Sequence, residues 1–160
     1  MNKLSFEKYG LSPEKVEQLR AYKISPDKQT LKALTQAYET DKITETELTD
    51  LQAQLNQPID EAYARFLLEH NGGTPSKSRV KGSKVVIDHF LAFRSAYKFH
   101  SLIDLYPDFQ KQGIPIARTP AGDTLLLAED QQIYLFNHNI QEVEPSPIVT
   151  DFTDLLARLY

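Results

Sequence analysis

Few side chains in this sequence have the type and spacing that chemistry requires. There are four histidines, His70, His89, His100 and His138, and no cysteine. The lack of cysteine excludes disulfides, thiolate zinc sites and thiol nucleophiles. No two histidines stand four residues apart, and no Glu-x-x-His occurs, so a helical metal site has no support. Asp88 and His89 are adjacent. Neighbours in a strand point to opposite faces, so this pair is not expected to form a relay. That leaves His89 with His138, assembled in space, set against the plainer reading of two strand-end histidines. No Gly-x-Ser-x-Gly is present, and Ser83 in "KGSK" lacks the second glycine of a nucleophile elbow. Asp123 with Glu129 or Asp130 offers paired carboxylates, but glycoside hydrolysis needs two carboxyls about 5–10 Å apart in a cleft. Turn carboxylates are ordinarily solvated. No catalytic, metal or cofactor site is expected.

The double glycine in "EHNGG" (69–73) has two readings, a phosphate cradle or a helix stop. A phosphate loop sets its glycines after a strand and before a helix, where free N–H groups meet the anion. Here they follow an apolar-periodic run, Ile59, Tyr63, Phe66, Leu67 and His70, on one side of a helix from about Asp60. Asn71 or Gly72 is expected just past the helix end, in the left-handed conformation, so the pair reads as a stop.

The elements around this helix follow from period and punctuation. "LSPEKVEQL" and "ISPDKQTLKAL" open with Ser-Pro-acid-Lys, which predicts two helices capped by Ser12 and Ser25, with Pro13 and Pro26 at the first helical position. Thr44 and Glu47 have capping-box spacing, with Leu48, Leu51 and Leu55 behind them. After "TPSKSRVKGSK", read as a mobile soluble connection, the period changes to that of short strands at 84–87, 90–93, 114–117, 124–128 and 133–136. "PAGD" (120–123) and "EDQQ" (129–132) are hairpin turns between the last three. A short helix is expected between 97 and 109, capped by Ser101 and closed before Pro107, and a last one from Thr150 or Asp151, burying Phe152, Leu155, Leu156 and Leu159. The fold class is α+β: N-terminal helices packed on a mostly antiparallel sheet of five to six strands, with a C-terminal helix. The division expected is a helical extension, 1–44, and an α+β domain, 45–160. The start has no apolar signal region and no run reaches the roughly 20 apolar residues of a membrane span, so a soluble, cytoplasmic protein is expected.

Charge is the remaining signal. The chain carries 18 basic and 22 acidic residues, net −4, which argues against nucleic acid as a direct ligand. Residues 107–160 hold three basic and eight acidic residues. Asp123, Glu129, Asp130, Glu142 and Glu144 all fall on or beside predicted turns. Successive turns alternate between the two ends of a sheet, so these five need not form one patch. Where they converge they make a surface for a basic protein partner, without catalytic geometry. The basic loop, with Lys77, Arg79, Lys81 and Lys84, has no aromatic residue to stack a base.

These motifs together resemble the SUKH superfamily, the Smi/Knr-like group. Its helix ends in Asn-Gly-Gly with Tyr eight residues before the Asn, which here is Tyr63, Phe66, Leu67, Asn71, Gly72 and Gly73. Its second block is an Ile-Pro-Ile-Ala strand, a Gly-Asp turn, two strands ending in an aromatic and a His, and a Phe-led helix. Here these are 114–117, Gly122–Asp123, 125–127, 133–139 and 151–156. The resemblance spans residues 45–160. Two departures are Ile59–Asp60 where the group usually has Leu-Pro, and the absence of Trp. The resemblance implies a non-enzymatic immunity protein that binds a cognate toxin, often a basic nuclease, with the acidic set as the contact. The runner-up is a general interaction scaffold or regulatory module on the same fold, followed by a small hydrolase with a His/Asp site.

Overall fold

The computed structural model describes residues 4–7, 13–24, 27–39, 43–55, 57–94, 100–109 and 111–160, without the side chains of 33 and 36–39. Among them, in chain order, are β1 (Phe6–Glu7), α1 (Pro13–Ala21), α2 (Lys28–Glu39), α3 (Glu45–Gln54), α4 (Glu61–Glu69), β2 (Thr74–Pro75), β3 (His89–Phe90), α5 (Leu102–Phe109), β4 (Ile114–Arg118), β5 (Thr124–Leu127), β6 (Ile133–Asn137), β7 (Glu142–Val143) and α6 (Phe152–Ala157). The class is α+β. The expected caps Ser12 and Ser25, with Pro26, lie outside the described residues.

Local chemistry sets the helix starts. Thr44 Oγ1 accepts from the Glu47 amide at 3.2 Å while the Glu47 carboxylate accepts from the Thr44 amide at 3.3 Å, a complete capping box. Asp60 caps α4 through the Ala62 amide, and Asp151, not Thr150, caps α6 through the Asp154 amide at 2.7 Å. Thr150 instead donates to the Asp154 carboxylate. Behind the caps, Leu51 of α3, Tyr63, Phe66 and Leu67 of α4, and Phe152 and Leu155 of α6 are buried in one cluster with Leu125, Leu127 and Ile133 of the sheet. Each such side chain contributes roughly 1.5–3 kcal/mol by leaving water. By contrast α1 buries none of its residues.

The main sheet runs β3-β4-β5-β6-β7 and is antiparallel throughout. A register shift between Pro115 and Ala117 accommodates a proline in an inner strand, where it has no N–H to give. The second sheet pairs β1 with β2.

Three expectations are corrected. The apolar runs at 84–87 and 90–93 are not continuous strands; only His89–Phe90 is one. Five amides across 87–92 go to five different carbonyls, with Ile87 donating to Ser78, Asp88 to Arg118, Phe90 to Gly73, Leu91 to Ile116 and Ala92 to His100. The run is apolar because Ile87, Phe90, Leu91 and Phe93 are buried. Second, Ser101 does not cap α5: its buried hydroxyl has no hydrogen-bond partner among the described residues, and the first amides of the helix donate to Ala92 and Phe93 carbonyls instead. The helix also runs through Pro107 to Phe109. Proline there removes one internal bond, and burial of Tyr106 and Phe109, three residues apart on one face, holds the last turn. Third, the basic loop is tied down. Val80, 1% exposed, bridges Leu159, and Arg79 and Tyr160 exchange backbone bonds of 3.2 and 2.9 Å. The single apolar residue among the charges of 76–84 is what pins it.

The double glycine does end α4. Asn71 takes the left-handed conformation (φ 50°), its amide bonded to Leu67 O at 2.9 Å. A side chain on Gly72 (φ +90°) would sit 2.7 Å from the Ala92 nitrogen and the Leu91 carbonyl carbon. Gly73 and Phe90 then exchange backbone bonds of 3.1 and 2.8 Å. Strain and backbone collision therefore coincide at Gly72, and Gly72→Ala is expected to cost about 2–5 kcal/mol. At Gly82 (φ +81°) the atom met is the side-chain end of Arg158, at 3.1 Å, and no backbone atom, so Gly82→Ala is expected to cost about 1 kcal/mol. Urea denaturation of the two variants checks the difference.

Candidate functional site

The sheet's turns place the acidic residues. In the β5–β6 turn, Asp130 accepts from the Gln132 amide (2.9 Å), the Gln132 side-chain amide (3.0 Å) and the Tyr134 hydroxyl (2.9 Å). Burial works to raise the Asp130 carboxyl, but these bonds outweigh it and hold the group below the ordinary carboxylate value. Gln131, left-handed at φ 68°, donates to Pro58 O and fastens the turn to the chain ahead of α4. Glu129 beside it is exposed. Glu144 follows β7, its amide bonded to Leu135 O at 2.8 Å.

Glu129, Asp130 and Glu144 thereby share one open depression of about 690 Å³, with Ala128, Tyr134 and Val143 as its apolar part. Glu144 also lines a neighbouring depression of about 650 Å³, with Lys84, Val85, Pro120, Leu135 and Asp123. Glu142 pairs with Asn137 on the edge strand and lines neither of these two depressions. So three of the five acidic residues come together, Asp123 meets them only through Glu144, and Glu142 stands apart. The alternation of turns between sheet ends is the reason.

Asp123 has a different task. It accepts from the His138 amide (3.0 Å) and the His138 ring Nδ1 (2.5 Å), while its own amide donates to Thr119 Oγ1 (3.0 Å). Burial pushes its carboxyl up, but the His138 bonds, with the charges of His138 and Arg118, hold it below the ordinary value. This contact clips the β4–β5 turn to the β6–β7 turn. Gly122 (φ +94°) supplies the backbone conformation there, with nothing closer than 3.8 Å to a would-be side chain. The Gly122–Asp123 and His138 motifs are thus parts of one fastening.

The His89/His138 pair does not form, since each ring has other partners. His89 Nδ1 lies 2.7 Å from Asp88 Oδ2, contrary to the expectation from strand alternation. Asp88 sits at the bend before β3, where alternation does not apply. The His89 ring stacks on His100 at 3.7 Å between centroids. Sequence reasoning missed this stack: the two residues are eleven apart, and no period links them. Among the described residues no group of three or more His, Asp or Glu is placed to hold a metal ion, and no helix is long and apolar enough to cross a membrane.

Tyr63, Phe66, Asn71, Gly72 and Gly73 have structural roles, in the core and at the end of α4. Asn71 Oδ1 accepts from the Phe93 amide at 2.8 Å. Tyr63 is fully buried against Phe152, with ring centroids 5.0 Å apart.

With this geometry the chain matches the SMI1 / KNR4 family (SUKH-1) over residues 42–158, and it belongs to that family. Neither a curated protein nor a solved structure matches it.

Two outcomes are expected. Burial, reinforced by the charges of His89 and Arg118 and opposed by Asp88, lowers the His100 pKa to about 4. Its folded value lies below its unfolded one of about 6.5, so native stability from this group is complete above that value and is lost as pH falls toward 4. Urea midpoints from pH 7 to 4 should fall, and His100→Gln should flatten the slope. Separately, the Tyr63 hydroxyl is buried with no hydrogen-bond partner among the described residues. Tyr63→Phe should stabilise the protein by about 1 kcal/mol, read by the same denaturation.

Proposed function

We propose that this protein is a non-enzymatic immunity protein that binds and neutralises a cognate bacterial toxin, of the nuclease type, in the cytoplasm. The observation that carries the reading is the meeting of Glu129, Asp130 and Glu144 around one shallow depression with an apolar floor, on a chain of the SMI1 / KNR4 family. A nuclease must present cations to a polyanion. A surface with fixed carboxylates competes for those cations and speeds encounter, while the apolar floor supplies the desolvated contact that slows release. Asp130, held ionised by its bonds, keeps its charge without reorganisation. Asp123 lines the neighbouring depression that Glu144 shares, and Glu142 lies outside both. Occlusion of the toxin's cleft suffices for neutralisation, so no reaction on this protein is needed.

The test is co-expression with toxin domains encoded beside it. The native chain should restore growth and bind one such domain with a nanomolar Kd. Glu129→Lys with Glu144→Lys should lower the association rate about tenfold or more at low salt and leave the urea midpoint unchanged, since both side chains are exposed. Failure of every neighbouring toxin domain to bind would count against the reading.

A further inference from the structure

The family match begins at residue 42, yet residues 4–7 are seated in the domain that follows. β1 pairs antiparallel with β2, Phe6 opposite Pro75 and Glu7 opposite Thr74. The Ser76 amide donates to Ser5 O at 2.8 Å, and the Ser5 amide donates to Ser76 Oγ at 2.9 Å. Phe6 lies in an aromatic cage, with ring centroids 4.9 Å from Phe66, 4.7 Å from His70 and 5.6 Å from Phe90. Gly73 is the floor: a side chain there would fall 2.8 Å from Glu7 O. Beyond Phe6 a depression of about 190 Å³ continues along α4 past Arg65 and Glu69 to Leu156.

α1 buries no residue, and Tyr22 and Ile24 after it are exposed. A strand of two residues is too short to hold itself by ladder bonds alone, so the ring in its cage must fix it. The long tether keeps the strand near at high effective concentration, which makes even weak docking persistent.

We propose that the β2 edge and the Phe66–His70–Phe90 cage form a docking slot for an extended peptide bearing one aromatic side chain, and that residues 4–7 occupy it as this chain's own tethered ligand. Recognition is by backbone pairing at β2, close approach over Gly73, and insertion of the aromatic ring. The slot is separate from the acidic depression and does not rest on the toxin-binding reading.

The test uses the full chain and a labelled synthetic peptide of residues 3–8. The Phe6→Ala chain should release its own strand, so its Ser76 amide should exchange with solvent at least tenfold faster, while the Leu91 amide, bonded to Ile116, stays protected. It should bind the peptide at least tenfold more tightly than the wild-type chain does, and a peptide carrying Phe6→Ala should not bind. Millimolar peptide added to the unaltered chain offers a second route that needs no substitution. The chain's own Ser5 amide should gain exchange while Ser76 remains protected. Unchanged Ser76 exchange in the Phe6→Ala chain, equal peptide binding by the two chains, or no response of Ser5 to peptide would each overturn the proposal. A wild-type dimer that the peptide dissociates would overturn occupancy by the same chain in favour of a second copy.

Discussion

The rest of the structure depends on how closely the backbone at 71–73 approaches the backbone at 90–93. Asn71 ends α4 and accepts from Phe93, Gly72 lies against the Leu91–Ala92 peptide with no room for a side chain, and Gly73 exchanges bonds with Phe90. A helix that carries Tyr63, Phe66 and Leu67 is thereby fixed against the edge of a sheet that carries Leu125, Leu127 and Ile133. Buried backbone groups must be bonded, and here two of the partners for an irregular segment, Gly73 O for Phe90 and Asn71 Oδ1 for Phe93, come from this junction. Hydrophobic burial supplies most of the energy, but it is non-directional; the glycine contact sets the distance at which the layers close.

The surfaces proposed for docking and for toxin binding draw on different parts of this framework. On one side, Gly73 opens the β2 edge to the strand at 6–7 and its aromatic anchor. On the other, the antiparallel hairpins carry their turns to opposite ends, so the acidic residues sort by turn. Glu129 and Asp130 share an end, and Asp123 is drawn into a fastening with His138 at the other. Charge alone therefore does not define a contact surface. Of two turn carboxylates on neighbouring hairpins, Asp123 is bonded to His138, and Glu129 is exposed.

Much of this was legible in order along the chain. Thr44 with Glu47, Asp60 and Asp151 announce helices because a cap is a contact within a few residues. The hairpins over 114–137 are legible for the same reason, since a turn and its two strands lie together. What failed to show was non-local. The apolar runs at 84–93 looked like strands, yet their amides are shared among partners far apart in sequence. The loop at 76–84 looked free, yet Val80 is fixed by the last residues of the chain. Asp88 and His89 looked like opposed strand neighbours, yet a bend brings them into contact.

By itself, then, the sequence determined the stop of α4, the hairpin sheet and the family, because caps, turns and alternation are set by neighbours whose separation is small and whose geometry repeats. Only the tertiary structure decided which carboxylates converge, that His89 stacks on His100, and that Phe6 enters a cage of Phe66, His70 and Phe90. Those contacts join residues with no fixed spacing. They exist because burial brings distant segments together, and composition says how much surface is buried without saying which side chains meet there.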